Sequence, residues 1–346
     1  AHVTTPNAPN PPARVLIVKP SSLGDVVSAL PVLRGLRRAF PGAYLAWLVA
    51  DTCAPLFEGD PDLDEAVVFR RKAMGPFWRS PRAAGELRRL NRRLRDARFD
   101  WVIDLQGLFR SAYFAQKTRA PLRAGFARPR EPVARRFYTQ RVEVTAEHTV
   151  DRNCELARAL GVPAGREDMT LRVPEPARQW AEGFRAEVGL SGRPYLVGVP
   201  PARWQSKRYP VRHWRAVARE LTGRAPLLLL GAPGDEALCA EIARGIGGVT
   251  SAAGRTTIPG MVALIAASSG VICGDSAAEF IAPAVGTPAV VLIGPTSVER
   301  TGPVSPGRAI VADVPCQGCL KRVCGHRTCM ELIDPRGVVE AAAGLL

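Results

Sequence analysis

No apolar run in this 346-residue chain approaches the length of a membrane span, so a helical membrane protein is not the expected class. Residues 1–12 are rich in Pro, Asn and Thr and carry no apolar core of a signal peptide. They read as a disordered tail over residues 1–13, and a cytoplasmic protein is expected. A G-x-G-x-x-G turn is missing after the first strand-like run, which argues against a dehydrogenase, and no G-x-x-x-x-G-K-[ST] loop occurs, which argues against a P-loop ATPase. Aromatic residues are sparse among the basic ones and there is no RNA-binding signature, so nucleic acid is not an expected partner. There is no internal repeat, and no long low-complexity stretch beyond the tail.

Positive charge is what the chain has in excess. Lys and Arg number 47 against 32 Asp and Glu, a formal net charge of +15. That balance fits a phosphorylated substrate or an anionic lipid surface. For any single arginine, the plain alternative is the composition of a GC-rich genome. The 70–98 segment concentrates Arg88, Arg89, Arg92, Arg93 and Arg95, and Leu87, Leu90 and Leu94 fall where one helix would place an apolar stripe.

The length suits two domains better than one core. Strand-like runs at 15–18, 44–50, 66–69 and 101–105 alternate with helical patterns, and a second series follows at 195–199, 227–230, 271–273 and 289–293. Helical stretches at 211–221 and 236–246 separate members of the second series. This rhythm predicts two doubly wound α/β domains, 14–172 and 173–346. In such sheets ligands bind beyond the carboxyl ends of the strands. Residues 19–25, Lys-Pro-Ser-Ser-Leu-Gly-Asp, follow the first run at that place and lead into a helical pattern over 26–40. Asp25 is either a carboxylate placed to take a proton or, with Ser22, a helix cap. Local sequence alone favours the cap.

Separated motifs tip that balance. Lys19-Pro-Ser-Ser-Leu-Gly-Asp25, Asp104-Leu-Gln-Gly-Leu-Phe-Arg110-Ser111, the stretch from Arg130 to Tyr138 with His148-Thr-Val-Asp-Arg152-Asn153, then Ala202-Arg-Trp-Gln-Ser-Lys207-Arg-Tyr-Pro210, Gly274-Asp-Ser276, Gly286-Thr-Pro and Gly294-Pro-Thr-Ser occur in this order. The chain thereby resembles the lipopolysaccharide heptosyltransferases of glycosyltransferase family 9, and the 130–153 region is similar to heptosyltransferase I. The resemblance implies a GT-B fold: two Rossmann-like domains facing a central cleft, acceptor domain first, nucleotide-sugar domain second. It further implies inverting transfer of heptose from an ADP-sugar to the Kdo/lipid A inner core, with no metal required. The partners implied are a nucleotide-sugar and a lipid A acceptor, met by a monomer peripheral to the inner membrane.

Residue chemistry agrees with these roles. An inverting displacement needs a base for the acceptor hydroxyl, which Asp25 can supply. Charge developing on the leaving diphosphate needs a cation, which Lys207 can supply. Asp275 is expected to orient its turn, Ser276 to donate to the diphosphate, and Ala277 to line the approach. The resemblance places Asp235 and Glu236 where the family binds the nucleotide, and a carboxylate there suits ribose hydroxyls; it places Thr256 at the adenine pocket and Arg203 on the donor side. Ser22, Gly24, Gln106, Arg110, Arg130 and His148 are acceptor-side candidates. The plain alternatives are a structural His148 and an Arg130–Glu131 ion pair.

Where the family has Gly and His after the Asp-Ser pair, this chain has Ala277 and Phe280, with Glu279 adding a negative charge. Those departures keep two alternatives open: a transferase using another nucleotide-sugar, or a degenerate relative that binds without transfer. Cys316, Cys319, Cys324 and Cys329, with His326 among them, have a spacing that can hold a structural zinc; unliganded thiols are the alternative. No His/Asp constellation suggests a catalytic cysteine. Cys53, Cys154, Cys239 and Cys273 read as small core hydrophobes.

Overall fold

A computed structural model of the chain describes residues 11–70, 73 and 80–346. Most of the expected tail, and residues 71–72 and 74–79 of the arginine-rich segment, lie outside the described residues. Two compact units divide the chain, Ala1–Met169 and Thr170–Leu346, a break just ahead of the expected 172/173 boundary.

The first unit carries β1 (Arg14–Val18), β2 (Tyr44–Ala50), β3 (Glu65–Phe69), β4 (Trp101–Asp104), β5 (Leu122–Phe126) and β6 (Gln140–Val142) in one parallel sheet, ordered β3-β2-β1-β4-β5-β6. Val15 to Val18 are wholly buried, as expected for a parallel strand covered on both faces. Leu16, Val18, Leu48 and Val102 pack with Leu90 and Leu94 of the helix Pro81–Asp96. Ser80 caps that helix by accepting the Ala83 N–H at 3.3 Å, and its five arginines between 88 and 95 are exposed. The helix expected over 26–40 is two helices, Leu23–Val27 and Leu30–Ala39. Pro31 accounts for the break: it lacks an N–H and its ring excludes the carbonyl four residues back, yet it suits the first turn of the second helix.

The second unit carries β7 (Leu196–Val199), β8 (Leu227–Leu229), β9 (Val249–Ser251), β10 (Gly270–Gly274), β11 (Ala289–Ile293) and β12 (Gly307–Val311), ordered β12-β11-β10-β7-β8-β9. Both units therefore share one doubly wound order, with the reversal between β1 and β4 and between β7 and β10. Trp214, Val217 and Leu221 of the helix Val211–Leu221 pack on Leu227 and Leu229, and Cys329, Met330, Val338 and Val339 close the same core. The helix expected over 236–246 stops at Ala243; Gly245, at φ +69°, turns the chain away. Cys53, Cys154, Cys239 and Cys273 are buried. No helix among the described residues is long and apolar enough to cross a membrane.

Candidate active site

All strands in each sheet are parallel, so every strand-to-helix loop leaves from one edge. Doubly wound sheets bind ligands at that edge, where the strand order reverses. In the first unit Ser22, Gly24 and Asp25 follow β1, Gln106 and Arg110 follow β4, Arg130 follows β5 and His148 follows β6. In the second, Arg203 and Lys207 follow β7, Asp235 and Glu236 follow β8, Thr256 follows β9, and Asp275 to Ala277 follow β10. Within each unit the structure gathers its candidates on the carboxyl edge. Asp25, in the first turn of the helix after β1, and Lys207, in the 3-10 turn after β7, both flank a reversal point.

At the first reversal point Asp25 does cap its helix. Its Oδ2 accepts the Ser22 N–H at 2.9 Å and the Ser22 hydroxyl at 2.6 Å. Capping uses one oxygen. Oδ1 faces Lys19 Nζ at 4.0 Å, and a third of the Asp25 side chain remains exposed. Burial pushes this carboxyl up, but Lys19, the two Ser22 contacts and Arg130 outweigh it and hold the pKa below the ordinary carboxylate range. Lys19, 5% exposed, donates to the Leu105 carbonyl at 2.6 Å. Burial drives its pKa down against the pull of Asp25 and Asp104.

The β4 loop is built around Asp104, which is wholly buried. Its Oδ1 accepts the Gln106 and Gly107 N–H groups at 2.9 and 3.2 Å, and its Oδ2 accepts the Tyr138 hydroxyl at 2.7 Å. Gly107 sits at φ +67°, and a Cβ there would lie 3.2 Å from the Arg130 backbone nitrogen; the two loops meet because residue 107 has no side chain. Gln106 Oε1 is buried with no hydrogen-bond partner. Arg130 is exposed and acts electrostatically on both Lys19 and Asp25. Glu131 accepts the Phe109 N–H at 2.7 Å, a contact to the β4 loop in place of the Arg130 pairing weighed from sequence. The exposed Arg110 guanidinium lies 5.8 Å from the Phe69 ring centroid. His148 caps the helix Thr149–Arg158 through Nδ1, which accepts the Val150 N–H at 3.3 Å.

At the second reversal point Lys207 Nζ lies 2.8 Å from Asp275 Oδ2, with the side chains 13% and 9% exposed. Nζ also sits 4.4 Å from the Trp204 ring centroid. The hydroxyls of Thr296 and Thr301 donate to the same Asp275 oxygen. Lys207 is thus fixed from two sides, which removes it from the solvated surface. Ala277 has φ −62°, a conformation that needs no glycine. Phe280 is 6% exposed and belongs to the core. Asp235 Oδ2 accepts the Ala232 N–H at 2.9 Å, and Glu236 Oε2 accepts the Gly234 N–H at 2.7 Å. Thr256 is half-buried and Arg203 exposed.

The thiols of Cys316, Cys319 and Cys324 all bear on Cys329, whose pKa is raised first by burial and then by these neighbours. His326 Nδ1 is 2.6 Å from the Thr328 hydroxyl. Among the described residues no group of three or more His, Cys, Asp or Glu is arranged to hold a metal ion. Sequence reasoning missed the roles of Lys19 and Tyr138. Both stand inside quoted motifs, and for Lys19 proximity to Asp25 was the available signal.

The chain that carries these residues belongs to a known class of enzyme. The chain is a member of glycosyltransferase family 9 (heptosyltransferase), whose family model matches residues 87–329. It is a glycosyltransferase of the two-domain α/β GT-B fold. Its sequence is 31% identical to lipopolysaccharide heptosyltransferase 1 of Pseudomonas aeruginosa, over 91% of this chain and 88% of that one. It is 26% identical to lipopolysaccharide heptosyltransferase 1 of Escherichia coli K12, over 82% and 88%. Among solved structures, a family 9 glycosyl transferase from Veillonella parvula superposes with a TM-score of 0.84 at 22% identity, covering 96% of this chain and 97% of that one. E. coli heptosyltransferase WaaC with ADP superposes with a TM-score of 0.78 at 22% identity, covering 96% and 100%.

Proposed function

We propose that the chain transfers heptose from ADP-heptose to the Kdo/lipid A inner core of lipopolysaccharide, with inversion at the sugar's C1. The observation that carries this reading is the placement of an ionised Asp25 and a braced Lys207 in the first turns after β1 and β7, flanking the reversal points of the two sheets. Solved relatives carry ADP and ADP-2-deoxy-2-fluoro heptose, which supports the choice of donor. In the first unit, Asp25 takes the proton of the acceptor hydroxyl while its oxygen bonds to C1. The bond from C1 to the diphosphate breaks in the same displacement, and ADP leaves with the electron pair. In the second unit, Lys207 compensates the charge that develops on the leaving phosphate. Arg110 and Arg130 are suited to carboxylate and phosphate groups of the acceptor, and Asp235 and Glu236 to the donor ribose. No metal is required in this scheme, and the acceptor is met at the cytoplasmic face of the inner membrane.

Phe280 and Ala277 bear on donor choice, since a buried phenyl ring supplies no hydrogen bond to a diphosphate. A second reading therefore keeps the chemistry and changes the nucleotide. Calorimetry with ADP, GDP and UDP, followed by product analysis with ADP-heptose and a Kdo-bearing lipid A acceptor, decides between them. ADP binding with a heptosylated product supports the first reading. Preference for GDP or UDP moves the enzyme to the second, and binding without product makes it a non-catalytic relative.

A further inference from the structure

Glu279 has no assigned task, and its surroundings are unusual. It is wholly buried in the helix Ala278–Ala284, directly after the Asp275–Ala277 turn. Both of its carboxylate oxygens lack a hydrogen-bond partner. An ionised carboxylate stripped of water without a counter-ion or hydrogen bonds is expensive, so such a group keeps its proton. The groups that face it are Asp275, Lys207 and the Cys273 thiol. The helix Ile258–Ala266 and β11, packed against the same helix, carry no titratable residue. Burial, and then the charge of Asp275, push its pKa well above the carboxyl range, against Lys207.

Local charge explains why this matters. One ammonium faces Asp275, and Asp275 already binds it at 2.8 Å. With Glu279 neutral, the pair is balanced and the ammonium keeps donors for an anionic ligand. With Glu279 ionised, the same spot carries an excess negative charge next to a diphosphate. We propose that Glu279 is held as the neutral acid and is a positioning residue for Lys207, acting through Asp275, so that its ionisation at alkaline pH weakens binding of the nucleotide diphosphate. This rests on the reading of Lys207 as the donor-side cation.

The test compares wild type with Glu279→Gln, which keeps shape and removes the titration. ADP affinity by calorimetry and melting temperature are followed from neutral to alkaline pH. A raised folded-state pKa stabilises fully below the unfolded value and loses that contribution as pH rises through the folded one. Wild type should therefore lose melting temperature toward alkaline pH relative to the variant, and lose about tenfold in ADP affinity relative to it, the effect of one unit of coupling. A purely structural glutamate would not make the affinity difference pH-dependent. Ordinary ADP affinity with parallel pH profiles in the two proteins overturns the role of Glu279 alone. Absence of ADP binding in both at every pH overturns the donor reading and this proposal with it. Should Glu279→Gln fail to fold, Glu279→Met, of similar length and equally unable to titrate, takes its place.

Discussion

The Asp25 cap and the proposed base role would use one side chain. Its Oδ2 is tied to Ser22 and its Oδ1 looks toward Lys19, so the cap fixes the carboxylate proposed to take the acceptor proton. Asp25→Asn keeps shape and much of the cap but cannot take a proton. Transfer should slow by ~10²–10⁴-fold with ADP affinity little changed, as single-turnover assays and calorimetry will show. Near wild-type turnover would leave Asp25 as a cap alone. Lys19 is the largest single influence holding its pKa down, ahead of Ser22 and Arg130. Since Asp25 is held below the ordinary carboxylate range, the acid limb of kcat/KM should lie at unusually low pH, activity being lost only as pH falls through that depressed value. Lys19→Met, apolar and of similar length, removes the neighbouring positive charge. The acid limb should move upward, and an unmoved limb would show that Lys19 does not tune the base.

The loop after β4 depends on contacts far apart in sequence. Tyr138 donates to Asp104 across the sheet, and Asp104 in turn gathers the Gln106 and Gly107 N–H groups. Tyr138→Phe leaves a buried carboxylate oxygen unpaired, which costs about 1–3 kcal/mol. Chemical denaturation should show that loss, and the acceptor KM should rise while ADP affinity holds; unchanged stability would mean Asp104 finds another partner. Such long-range contacts also mark the limit of legibility. Eight strands were readable because runs such as Val15 to Val18 and Ala289 to Ile293 are continuous, apolar and wholly or almost wholly buried. Of the other four, β5 is interrupted by Arg123 and Gly125, β6 and β9 are three residues each, and β12 is largely exposed, so their backbone pairing leaves little hydrophobic pattern. The break at Pro31 was signalled by proline itself. The ionic brace on Lys207 was not, because Asp275 and the Thr296 that holds it come from two other loops. Ala277 stands where the resembling family has glycine, yet its φ of −62° shows that the turn itself needs none.

Across the whole molecule the excess of 15 positive charges needs a use, and an anionic lipid leaflet displaying a phosphorylated acceptor would supply one. The helix Pro81–Asp96 presents Arg88, Arg92 and Arg95 to solvent, whereas Arg89 approaches Glu86 at 4.0 Å and Arg93 pairs with Glu65. Its apolar stripe is consumed by the core, so any attraction to a membrane through this face is electrostatic. Each basic group near an anionic leaflet contributes roughly 1 kcal/mol. Replacing Arg88, Arg92 and Arg95 by Gln should then lower binding to phosphatidylglycerol-containing vesicles by roughly a hundredfold while leaving ADP affinity intact. Co-sedimentation should also fall steeply between low and high salt, as the screening length shrinks from about 10 Å at 0.1 M to about 3 Å at 1 M. Neutral phosphatidylcholine vesicles provide the control. Binding that is absent at low salt, or that persists unchanged at high salt, would assign the arginines to genome composition and remove the membrane from the account, while the chemistry at Asp25 and Lys207 would stand on its own tests.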